Sequence, residues 1–309
     1  MSNGSALRAM IDGMRPAHWI KNIFVFAAMP FGEKLFFKEA WLMCGSVFFI
    51  FCGLASAVYL INDVRDRNAD RLHPEKKKRA VASGRLGVST AVAGSIVLFA
   101  LSIAAAWYID SRIIDSFPVI TFCAALYMVL NISYTFLVKE IAIVDVIFIA
   151  AGFVIRVVVG ALAIQVPISP WLVICTFMLS LFIGTTKRRS EIRIYSPDVA
   201  EKVRNANAFY TPERLEHILA VTASLAIMSY SLYCVSLQTQ ERIGSIHMVW
   251  TIPFVVYGIF RYYCLSLTSL SGDTITILLK DRVIWITGVL WLISAVLVIY
   301  LSGIDPLRV

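Results

Sequence analysis

Residues 41–79 read WLMCGSVFFIFCGLASAVYLINDVRDRNADRLHPEKKKR. No charged residue falls between 41 and 62, and about 20 mostly apolar residues are what an α-helix needs to cross the hydrocarbon of a bilayer. The run then ends abruptly in Asn62, Asp63, Asp66 and Asp70, followed by a knot of cations. Comparable runs recur along the chain, giving nine expected spans: 18–37, 41–62, 88–109, 115–138, 142–164, 168–187, 214–237, 246–268 and 283–302. The first is the weakest, because Lys21, Asn22 and Pro30 interrupt it.

Composition agrees with that pattern. Of 309 residues 59% are hydrophobic and 16% charged, against about 25% charged in soluble domains. The runs are continuous rather than alternating in ten-residue strips, which excludes a membrane β-barrel. The expected fold is all-α: one polytopic transmembrane domain covering 1–309, with connecting loops near 63–87 and 188–213. The amino-terminal stretch lacks a compact apolar core followed by a small-residue cleavage site, so no cleaved signal peptide is expected.

Basic residues are distributed asymmetrically. Arg65, Arg67, Arg71, Lys76, Lys77, Lys78, Arg79 and Arg85 follow the second span; Lys139 follows the fourth; Arg188, Arg189, Arg193, Lys202, Arg204 and Arg214 follow the sixth; Lys280 and Arg282 follow the eighth. The positive-inside rule places these connections in the cytoplasm. With nine spans the amino terminus is then inside and the carboxyl terminus outside. The net charge of +8 fits that topology and anionic headgroups; no soluble basic surface for nucleic acid is present. The six cysteines lie in apolar runs without a CxxC pair, and the four histidines show no zinc-ligand spacing.

Asn62, Asp66 and Asp70 stand at i, i+4 and i+8, which lines them along one helical stripe about 12 Å long, with Asp63 able to share it. Oxygen ligands on one face suit Mg²⁺, which binds through one or two carboxylates, waters and substrate phosphates. The same spacing also suits a solvated helix end whose acids pair with Arg65, Arg67 and Arg71. Lys76, Lys77 and Arg79 just beyond are suited to phosphate oxygens, and the combination favours a diphosphate site. Lys187 and Arg188 repeat the cationic theme after the sixth span, with Glu191 the nearest acid. Lys21, Asp145 and Arg156 sit within or against helices, where charge is expensive and faces an interior or a wet cavity. Asp145 and Arg156 are about three helical turns apart and so share a face. Tyr134 and Lys139 flank the end of the fourth span.

On these residues the chain resembles the UbiA superfamily of intramembrane prenyltransferases. RPAHWIKN at 15–22, Asn62-x-x-x-Asp66-x-x-x-Asp70 and the nine spans carry the likeness. The resemblance implies a helical bundle whose Mg²⁺-dependent diphosphate site faces the cytoplasm. Members commonly carry a second aspartate-rich motif after the sixth helix, whereas this chain has TKRRSEIRIY there. That departure, with NDVRDRNADRLHPEKKKR, VKEIAIVDVIFIAAGFVIRVVVGALA and LLKDRVIW, resembles the decaprenyl-phosphate phosphoribosyltransferase branch. Ala80 stands where relatives often have proline. The branch implies transfer of 5-phosphoribose from phosphoribosyl pyrophosphate to a polyprenyl phosphate in a bacterial inner membrane. Asn62, Asp63, Asp66 and Asp70 would hold Mg²⁺. Lys76, Lys77, Arg79, Lys187 and Arg188 would meet phosphates, and Lys21, Lys139 and Arg156 either the acceptor phosphate or the 5-phosphate. Two alternatives stand beside this reading: prenylation of an aromatic ring, and a transport or lipid-binding protein. A homo-oligomer is left open.

Overall fold

The computed structural model describes residues 3–72, 75–113, 117–194, 209–268 and 280–301, and every regular element among them is helical. A short α1 (Asn3–Met14) and a 3₁₀ stretch (Pro16–Phe26) precede α2 (Lys38–Arg65) and α3 (Arg67–Leu72). Then come α4 (Val88–Ile113), α5 (Val119–Phe136), α6 (Val144–Ala163), α7 (Pro170–Ile194), α8 (Pro212–Val235), α9 (Leu237–Ile243), α10 (Ile252–Thr268) and α11 (Arg282–Leu301). Among the described residues eight helical segments are long and apolar enough to cross a membrane: α2, α4, α5, α6, α7, α8, α10 taken with the 3₁₀ turn His247–Thr251 that leads into it, and α11. Leu101, Trp107, Leu290 and Ile293 face outward, an arrangement that water would penalise and lipid tolerates. The chain is an integral membrane protein.

Two compact units are present. One comprises Met1–Ala27, Phe37–Val138 and Ile155–Pro167; the other comprises Ala28–Phe36, Lys139–Val154 and Ile168–Val309.

The stretch expected as a first spanning helix over 18–37 is not one continuous α-helix. It runs as 3₁₀ over Pro16–Phe26, with a separate helical turn at Ala28–Phe31. The interrupting residues account for the difference: Pro30 lacks an N–H, while Lys21 and Asn22 break the apolar pattern. Within the first unit the 3₁₀ stretch runs antiparallel to α2. The Ser56 hydroxyl lies 3.1 Å from the Met14 carbonyl and accepts from Trp19 Nε1 at 3.0 Å. Further along, Asn22 Nδ2 donates to Cys52 Sγ at 3.2 Å, and the Cys44 thiol meets the Val25 carbonyl at 3.8 Å. From Ser56 to Cys44 these contacts descend about 18 Å of helix.

The carboxy-terminal part of α6 packs against the same stretch so closely that position 160 admits only glycine. A Cβ there would stand 1.9 Å from the Val25 carbonyl oxygen, and a backbone atom cannot rotate away as a side chain can. Gly160→Ala should therefore destabilise the protein by about 1–3 kcal/mol, the usual cost of overpacking. A thermal melt in detergent checks it, and an unchanged midpoint would show that the two backbones separate freely.

Candidate active site

The i→i−4 ladder of α2 continues past its end. Asp66 N–H bonds the Asn62 carbonyl at 2.8 Å and Asp70 N–H bonds the Asp66 carbonyl at 2.8 Å, although Asp66, at φ −87° and ψ 4°, separates α2 from α3. The stripe of Asn62, Asp66 and Asp70 therefore keeps its helical spacing. Burial, however, singles out a different pair. Asp63 is 1% exposed and Asp70 4%, whereas Asn62 and Asp66 are half-buried. Seven residues are about two turns, so Asp63 and Asp70 share a face. Arg79 Nη1 lies 2.7 Å from Asp70 Oδ2 and 3.5 Å from Asp63 Oδ1. Arg15 forms a second ion pair with Asp63 Oδ1. The Asn62 amide contacts the Thr135 hydroxyl. Burial pushes the Asp70 carboxyl above its usual range, and Arg79, then Lys76, pull against that shift.

Arg79 reaches both acids because its loop folds back. Ala80, Val81 and Leu86 bury against Ala9 of α1, Leu60 of α2 and Ala91 of α4. Arg71 Nε donates to the Ala82 carbonyl at 3.1 Å; Arg85 donates to the Lys78 carbonyl at 2.9 Å and pairs with Asp12 at 2.6 Å. Lys76 is half-buried and Lys77 exposed. Arg65 bonds the Phe136 carbonyl at 3.4 Å and covers that residue's ring. Asp63 and Asp70 are thus paired with Arg15 and Arg79, while Arg65 and Arg71 reach carbonyls.

Arg15 lies in the RPAHWIKN motif, yet the sequence alone assigned it no role. It adopts φ 53°, uncommon for a residue with a Cβ, and its guanidinium sits 5.1 Å from the Tyr59 ring centre. The clue in the sequence was the need of a buried carboxylate for a cation.

Arg156, 5% exposed, is held by neutral groups of the first unit. Its Nε donates to Asn22 Oδ1 at 2.7 Å and its Nη2 to the Tyr127 hydroxyl at 2.8 Å, with the guanidinium 4.7 Å from the Tyr127 ring centre. Lys21 and Tyr134 are half-buried.

The second unit carries its own buried polar cluster. Asp145 and Arg188 form an ion pair at 3.0 Å with both side chains 0% exposed, and Arg188 also pairs with Glu191 one turn along α7. The Tyr210 hydroxyl donates to Asp145 Oδ1 at 2.8 Å and accepts the Ile143 N–H at 2.6 Å. Burial, reinforced by Asp145, pushes the Tyr210 hydroxyl up. The next two residues hold Tyr210 in place: Thr211 caps α8 by accepting from Arg214 N–H, and Pro212 occupies the first turn. No motif signalled Tyr210. Lys139 and Lys187 are half-buried. Arg189 bonds the Ser266 carbonyl and Glu216. The part of the expected second loop over 195–208 lies outside the described residues.

Among the described residues no three His, Cys, Asp or Glu side chains converge enough to hold a metal alone. The donors at the end of α2 are nonetheless all oxygens, two of them on buried carboxylates brought to one guanidinium. That set fits Mg²⁺, which needs only one or two carboxylates when phosphates and waters complete its shell.

The sequence profile of the UbiA prenyltransferase family matches residues 23–275. The chain belongs to the UbiA prenyltransferase family. It is thereby an enzyme, a transferase. A decaprenyl-phosphate phosphoribosyltransferase of Corynebacterium glutamicum is 30% identical over 94% of this chain and 87% of its own length. Its namesake in Mycolicibacterium smegmatis is 29% identical, over 95% and 93%. Among solved structures, a UbiA homolog from Archaeoglobus fulgidus bound to GPP and Mg²⁺ superposes with a TM-score of 0.70 at 17% identity, covering 94% of this chain and 99% of that one. A UbiA homolog from Aeropyrum pernix K1 gives 0.67 at 15% identity, covering 89% and 98%. These structures establish the fold: helical, membrane-spanning and UbiA-type.

Proposed function

We propose that this UbiA protein transfers 5-phosphoribose from phosphoribosyl pyrophosphate to a polyprenyl phosphate, releasing pyrophosphate in a Mg²⁺-dependent reaction. The observation that carries the reading is the pair of buried carboxylates, Asp63 and Asp70, drawn together at a loop bearing Lys76, Lys77 and Arg79. The names of the phosphoribosyltransferase relatives support it. So does the end of α7, where the lone acid Glu191 is tied to Arg188 and no second acidic motif stands. That last feature counts against the reading as an aromatic prenyltransferase.

In this reading Asp63 and Asp70, with Asn62 and Asp66 beside them, would hold Mg²⁺, which supplies charge neutralisation for departing pyrophosphate. Arg79, Lys76 and Lys77 bind the diphosphate oxygens from the loop, where fixed cations stabilise charge that grows as the leaving group departs. In the first unit Lys21 and Arg156 would take a further anionic group; in the second, Lys139 and Lys187 are the cations proposed to bind phosphate. Arg188 and Asp145 sustain the second unit's cluster. The C1–O bond to pyrophosphate breaks and an acceptor phosphate oxygen bonds C1. That oxygen is already anionic, so no general base is required. The basic loops and the site face the cytoplasm, with the amino terminus inside, the carboxyl terminus outside and the chain acting as one domain in a bacterial inner membrane.

Purified protein incubated with phosphoribosyl pyrophosphate and a polyprenyl phosphate should yield the phosphoribosylated lipid by mass spectrometry, and a chelator should stop it. Product formed only from a prenyl diphosphate and an aromatic acceptor would replace this reading with the ring-prenylating one.

A further inference from the structure

Resting on the reading of the α2 end as the metal and diphosphate site, we infer that Arg15 is an exchanging counter-ion. Without ligand it neutralises Asp63; when a divalent cation takes that carboxylate, Arg15 turns to the phosphate oxygens of the donor. Two guanidinium groups, those of Arg15 and Arg79, meet the same oxygen, Asp63 Oδ1. A buried carboxylate demands such compensation. A divalent cation at that oxygen would face two like charges within a few ångströms, so cation binding must displace at least one of them.

The geometry favours Arg15 as the group that leaves. Arg79 also holds Asp70 at 2.7 Å, whereas among the described residues Arg15 pairs with Asp63 alone. The Arg15 side chain is 18% exposed and rests on the Tyr59 ring, a face along which a planar cation can slide without losing its contact. Its left-handed backbone, directly before Pro16, aims the side chain at the end of α2 instead of along the 3₁₀ stretch. Once released, a guanidinium offers the fork of donors that matches phosphate oxygens. Arg85 is different: its acid, Asp12, is exposed and belongs to no buried cluster.

The signature of exchange is two effects of opposite sign. In full-length Arg15→Gln protein in detergent, Mn²⁺ used as the probe and followed by electron paramagnetic resonance should bind about tenfold tighter, because no guanidinium competes. The KM for phosphoribosyl pyrophosphate, and the dissociation constant of inorganic pyrophosphate with Mn²⁺ present, should rise about tenfold, the scale of one charge-assisted hydrogen bond. Arg15→Lys should fall between wild type and Arg15→Gln on both scales, and decides the matter should the glutamine variant fail to fold. Unchanged Mn²⁺ affinity, or metal and pyrophosphate binding weakening together as for a merely structural ion pair, would overturn the inference. Should wild type bind Mn²⁺ and pyrophosphate but transfer no phosphoribose, the proposed reaction fails, and the Mn²⁺ and pyrophosphate titrations still decide the role of Arg15.

Discussion

Asp63→Asn is expected to lower phosphoribosyl transfer about 10²–10³-fold, the range for removing one preorganised electrostatic group from a reacting centre. The substitution keeps the shape of the side chain and removes its charge, so Arg15 and Arg79 lose their shared counter-ion. Breaking a fully buried pair costs about 3–5 kcal/mol. Here the two guanidinium groups are 18% and 26% exposed, so water recovers part of that and a stability loss of about 1–2 kcal/mol is expected. Turnover and thermal melts on the same preparation separate the two effects. Full turnover by the variant would remove Asp63 from the site, and a melt collapsing in parallel with activity would make its role structural.

Arg188→Met should be the most destabilising single change, by about 3–5 kcal/mol, because it strands a carboxylate with no exposed surface. Asp145 and Arg188 are both 0% exposed, and the Tyr210 hydroxyl alone cannot neutralise the acid. The double variant Asp145→Leu, Arg188→Met should regain most of the lost stability, since well-packed apolar residues commonly replace a buried pair without loss. Activity returning with stability in the double variant would make Arg188 a structural cation. Stability returning without activity would make it a phosphate ligand, as its place in the sequence first suggested.

Much of the architecture was legible because hydropathy reports directly on lipid-crossing helices. Spans after the first were visible as long, mostly apolar runs, and the acids at the end of α2 stood out against them. The first expected span, 18–37, was read as one helix and is not, because a window tuned to about 20 apolar residues does not distinguish an α-helix from a 3₁₀ path whose polar side chains are satisfied by a neighbouring helix. The candidate site was half legible. Its acids announced themselves by spacing, and Arg79 by its place in the basic loop, but the other partner of Asp63, Arg15, lies 48 residues away, beyond any local pattern. Spacing put Asp145 and Arg156 on one helical face without direct contact but named none of their partners, which include Asn22 and Tyr127 for Arg156 and Tyr210 and Arg188 for Asp145. Periodicity fixes direction around an axis and says nothing about which neighbour waits there.

The 3₁₀ stretch Pro16–Phe26 has one further consequence. Eleven residues at a rise of about 2.0 Å per residue extend roughly 22 Å, with poorer hydrogen-bond geometry than an α-helix has. Ser56, Cys52 and Cys44 of α2 supply partners to Trp19, Asn22 and Val25 along its length. Because those partners all lie on α2, the path of Pro16–Phe26 is held by α2 and depends on that helix being in place.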